Sequence, residues 1–84
     1  MNLQTVDLDE MESKFVGFVK TQLNMVKGGF MSKEMAGTLI TGYFEGMNAI
    51  AFPMSGRMYD LLDLTREALY GDTFQKEIAI KYFE

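Results

Sequence analysis

Three cations beside helix boundaries offer the most chemistry in this sequence. Lys27 precedes Gly28-Gly29, Lys33 follows Ser32, and Arg57 follows Ser55-Gly56. Such places combine free backbone N–H groups, flexible glycine, a hydroxyl and a positive charge, which is the equipment a phosphate or other anion needs. Lys27, Gly28, Gly29, Ser32, Lys33, Ser55, Gly56 and Arg57 therefore form the candidate anion or nucleotide site. Their spacing matches no Walker-type or dinucleotide fingerprint. Ordinary capping and chain reversal account for the same residues. On that plainer reading, Arg57 pairs with Asp60 on an exposed helix face.

The carboxylates offer less. Asp60, Asp63 and Glu67 recur at i, i+3 and i+7 and share one helical face. Paired carboxylate catalysis needs a buried cleft to separate two pKa values, and these three fall on the wet side of their helix. The chain has no histidine and no cysteine. Those absences remove the commonest general base, the commonest metal ligand and any thiolate or disulfide chemistry. No catalytic residue, metal or cofactor is expected, and the chain reads as non-enzymatic.

Charge narrows the partners. Eight basic residues stand against twelve acidic ones, a net charge of −4. Phosphate neutralisation supplies most non-specific nucleic-acid affinity, so nucleic acid is not an expected partner. Asp7, Asp9, Glu10 and Glu12 concentrate negative charge near the start, which favours a protein partner with a basic surface. The first residues lack a basic run followed by an apolar one, so no signal peptide is expected. The stretch from Met35 to Gly56 is apolar, but its glycines, Glu45, Asn48 and Pro53 argue against a membrane span. A cytoplasmic location is the expectation.

Apolar residues are in surplus. Val, Ile, Leu, Met, Phe and Tyr number thirty-five of eighty-four, eight of them Met. A domain this small has too little interior for all of them. Phe30, Met31, Leu64, Ile80 and Phe83 fit no inward stripe well and are candidate interface residues. Gly42 and Gly46 join them, because glycine inside a helix costs about 1 kcal/mol against alanine and asks for a reason. Close approach of another helix is the usual one, whether the first helix of the same chain, a second copy or a foreign partner.

Four helices must position these groups. Asp7 and Glu10 have capping-box spacing, with Val6 and Met11 as a staple, opening a helix over 8–27. Its apolar positions include Met11, Phe15, Phe18, Val19, Leu23 and Val26. Ser32 caps a second helix over 33–51, which Phe52-Pro53 ends. That helix is apolar over most of its circumference, so a central place in the domain is expected. Ser55 caps a third over 56–70, with Met58, Leu61, Leu62, Thr65, Ala68 and Leu69 inward and Gly71 as its stop. Asp72 and Gln75 open a fourth over 73–83, carrying Phe74, Ile78 and Tyr82 on one side. The reading is one all-α four-helix domain over 1–84, oligomeric, with a central second helix. Its expected role is protein interaction, as a small regulator, inhibitor or adaptor. An oligomeric nucleotide or anion binder is the alternative.

Overall fold

The computed structural model of the chain describes residues 9–50 and 54–84. Four helices carry the fold, α1 (Glu10–Lys27), α2 (Lys33–Ile50), α3 (Gly56–Tyr70) and α4 (Thr73–Phe83). No strand occurs among the described residues. The expected spans hold to within two residues. Val6, Asp7 and the Phe52-Pro53 stop lie outside the described residues.

The start of α1 differs from expectation. Asp9, not Asp7, is its N-cap, and Glu12, not Glu10, completes the capping box. The Asp9 carboxylate accepts from the Glu12 N–H at 2.7 Å, and the Glu12 carboxylate accepts from the Asp9 N–H at 2.8 Å. Two overlapping boxes of the same spacing are present in the sequence. Among the described residues the Glu10 carboxylate pairs only within its own helix, with Lys14 at 3.2 Å, whereas Glu12 finds partners on α3.

The remaining boundaries follow their local signals. Gly29 takes φ +80°, the left-handed conformation that ends α1 and that glycine alone adopts without cost. The Ser32 hydroxyl accepts from the Met35 N–H at 3.1 Å, and the Asp72 carboxylate from the Gln75 N–H at 2.9 Å. Ser55 caps α3 through the Met58 N–H, and the Gly71 N–H closes it onto the Glu67 carbonyl. Each such cap is worth about 1 kcal/mol.

Two long-range hydrogen bonds fix the helix directions. Arg57, at the start of α3, reaches Glu12 near the start of α1. Tyr70, at the end of α3, donates its hydroxyl to the Lys33 carbonyl at the start of α2, 3.1 Å away. Helices α1, α2 and α3 thus alternate in direction, and α4 packs beside α3 after a short turn.

The core lies between α1, α3 and one face of α2. Phe15 and Val19 from α1, Ile40 and Phe44 from α2, and Met58 and Leu61 from α3 are its centre. Phe15 meets Phe44 edge-on, with ring centroids 5.7 Å apart, and Phe18 stacks on Tyr43 at 4.3 Å. Burying each large apolar side chain stabilises the fold by roughly 1.5–3 kcal/mol. The buried set of α3 is the six residues its pattern predicts.

Burial is uneven among the helices. Within the chain α3 is the most enclosed helix, whereas α2 buries only Ala36, Ile40 and Phe44. On α4 the buried residues are Ala79 and Phe83, while Phe74 and Ile78 point to solvent. A helix of eleven residues with apolar groups on all sides does not define its own inner face.

Candidate functional site

The most constrained polar group is Glu12, fully buried at the junction of α1 and α3. Its carboxylate accepts from the Ser55 hydroxyl at 3.0 Å and from the Arg57 Nε at 2.9 Å, besides the Asp9 N–H. Burial opposes the charge on Glu12, but the Asp9 N–H, the Arg57 guanidinium and the Ser55 hydroxyl outweigh it. The pKa stays below the ordinary glutamate value. Arg57 keeps about a third of its side chain in solvent.

This corrects the expected partner of Arg57, which is Glu12 and not Asp60. The neighbour three positions along is only half-buried on the same helix; the glutamate across the bundle is dry and already oriented by its cap. Ser55 is likewise occupied, donating to Glu12 and accepting from the Met58 N–H. Gly56 opens α3 beside them. A capping signal of the form Asp9-x-x-Glu12 was the one sequence clue to this node.

The other half of the candidate anion set lies elsewhere. Lys27, Gly28 and Gly29 end α1, fifteen residues beyond Glu12, a distance of about 22 Å at 1.5 Å per residue. Ser32 and Lys33 follow in the same turn region. Lys27 and Lys33 line one groove, of about 470 Å³, to which Ser55 and Arg57 do not contribute. Within one chain the eight residues therefore form two separate groups.

The exposed face of α2 carries a run of apolar and small residues. Met35, Leu39, Gly42, Gly46 and Ala49 recur at spacings of four, three, four and three, and all are exposed. Ile50 beside them is 90% exposed. A Cβ added at Gly42 or Gly46 would meet no atom within 4 Å. The first helix of the chain therefore does not approach this face, which removes one of the three explanations for these glycines. Gly37 is the close-approach glycine of α2, lying against the Tyr70 hydroxyl.

The remaining candidate interface residues divide by exposure. Phe30 is 78% exposed. Met31, Leu64 and Ile80 are half-buried against the core. Phe83 is 4% exposed and belongs to the core, because the face of α4 that meets the bundle is the one carrying Ala79 and Phe83. Asp60, Asp63 and Glu67 stand on α3, with Asp63 near Arg66 at 3.7 Å. Among the described residues no group of three His, Cys, Asp or Glu is placed to hold a metal ion. No helix among them is long and apolar enough to cross a membrane.

No family model, curated protein or solved structure matches this chain.

Proposed function

We propose that this chain is a non-enzymatic helical interaction module that pairs with a second copy of itself along the exposed face of α2. The carrying observation is the order of side chains on that face. Its large residues, Met35 and Leu39, lie in the first half of the helix, and its small ones, Gly46 and Ala49, in the second. An antiparallel pairing about Gly42 sets Leu39 against the partner's Gly46 and Met35 against the partner's Ala49. Large meets small at each level, and both contacts repeat by two-fold symmetry. The spacing of three and four is that of a helix–helix seam. In such an assembly α2 becomes the central element that its composition suggests.

One helix pair covers less than the roughly 800 Å² per partner of a standard interface, so association in the micromolar range is expected. The dimer is acidic, and a basic protein surface is the complementary target, which fits a regulator, inhibitor or adaptor. The cytoplasmic assignment belongs to the same proposal. The nucleotide reading has less support, because Arg57 and Ser55 are already bonded to Glu12. Sedimentation velocity of wild type and Leu39→Glu over a concentration series tests the proposal. Wild type should dimerise and the variant remain monomeric; two identical monomers would refute it.

A further inference from the structure

The groove at the end of α1 has a composition unlike the rest of the surface. Lys20, Lys27, Lys33 and Lys76 line it, four of the eight cations in an acidic chain. Among the described residues none of the four forms an ion pair. One acidic residue, Glu84, lines the same groove. The floor is aliphatic and aromatic, built mainly from Leu23, Leu69, Ile80 and Phe83. Lys20 and Lys76 are half-buried, so their methylene stems extend that apolar lining while the charges reach water.

The positions follow from the fold. Lys20, Leu23 and Lys27 share one face of α1, and Lys76, Ile80 and Phe83 share one face of α4. The Tyr70–Lys33 hydrogen bond brings the start of α2 to the end of α3, which adds the last lysine. Like charges gathered at one place are unfavourable for the free protein, and an anion relieves them.

We propose that this groove binds a single-chain anionic amphiphile, a molecule of fatty-acid type whose carboxylate meets the lysines and whose tail lies on Leu23, Leu69, Ile80 and Phe83. Size selects this occupant. A groove of about 470 Å³ is within the range of small-molecule sites. One turn of a helix with its side chains, about 10 Å across and 5.4 Å long, fills on the order of 400 Å³, so an acidic helix would engage little more than one turn. A nucleotide base would want aromatic faces and polar edges, and Phe83 is the one ring on the floor. The site is separate from the α2 face, so it stands or falls independently of the dimer.

Titration of the isotope-labelled protein with laurate, below its micelle concentration, tests the assignment by amide shifts. Dodecanol, inorganic phosphate and an acidic amphipathic peptide are the comparison ligands. Laurate should bind saturably, with shifts centred on Lys20 to Lys27 and Lys76 to Phe83, and more tightly than dodecanol or phosphate. The double variant Lys27→Gln/Lys76→Gln should weaken laurate about tenfold, with the helical circular dichroism unchanged. Lys14→Gln, outside the groove, should bind as wild type does. Absence of laurate binding, equal binding of phosphate alone, or tighter binding of the peptide would overturn the proposal. So would unchanged affinity in the double variant, or shifts that follow the α2 face.

Discussion

Glu12 and Arg57 lie forty-five positions apart in sequence and 2.9 Å apart in the fold, joining the starts of α1 and α3. The glutamate also closes its own helix cap, so one buried carboxylate fixes a local boundary and a tertiary contact together. Removing a single partner of a fully buried ion pair costs about 3–5 kcal/mol. Arg57 is partly solvated, and Ser55 and the Asp9 N–H remain when it is gone. Arg57→Ala should therefore destabilise by about 2 kcal/mol, against under about 1 kcal/mol for an exposed pair such as Asp63–Arg66. Urea unfolding of Arg57→Ala and Arg66→Ala side by side checks this difference.

Acid should act through the same carboxylate. The Glu12 pKa is held below the ordinary value of 4.5, so the folded state binds its proton less readily than the unfolded chain. The stabilisation is present above pH 4.5 and is lost as pH falls through the lower folded value. In Glu12→Gln this acid-side loss should shrink, even though the variant is less stable at neutral pH. Thermal melts of both proteins from neutral to acid pH measure it.

Alkali should report on α4. Burial, and then the negative charge of Glu12, raise the Tyr82 phenol above its ordinary 10.0. The folded state holds that proton more tightly, so stability falls as pH rises from 10 through the folded value. Glu12→Gln removes one of the two causes, and the Tyr82 titration should move down toward 10. Ring resonances followed by NMR distinguish Tyr82 from the other three tyrosines.

Much of this architecture was legible in the sequence, and the failures have physical reasons. The inner face of α3 was readable, because Met58, Leu61, Leu62, Thr65, Ala68 and Leu69 recur at helical spacing and Ser55 and Gly71 mark both ends, with Leu64 alone left out of pattern. The start of α1 was ambiguous between two boxes of equal spacing, and the choice fell to Ser55 and Arg57, contacts no local window contains. The same distance hid the partner of Arg57. On α4, apolar residues surround the helix, so burial of Phe83 and exposure of Phe74 were settled only by packing. The lysine groove was half visible, since Lys27 and Lys33 are neighbours by turn while Lys20 and Lys76 arrive through the fold.

The α2 glycines make opposite forecasts for folding and for association. Gly42→Ala and Gly46→Ala meet open space within the chain, so each should stabilise the monomer by up to about 1 kcal/mol through helix propensity. Each also fills the seam where the second copy packs closely, and should weaken dimerisation. Gly37→Ala would push the Tyr70 hydroxyl away from the Lys33 carbonyl and should destabilise the monomer, with no change in association. Calorimetry paired with sedimentation at equal concentrations separates the two effects.

The most direct test of the antiparallel α2 pairing uses the absence of cysteine from the chain. A single Gly42→Cys stands at the proposed two-fold axis, where two copies come within the Cα separation of about 4.4–6.8 Å that a disulfide needs. A single Met35→Cys faces the partner's Ala49, far from its own copy. Mild oxidation at micromolar concentration, read on a non-reducing gel, should give a covalent dimer for Gly42→Cys and little for Met35→Cys. Equal cross-linking of both variants, or of neither, would contradict the account.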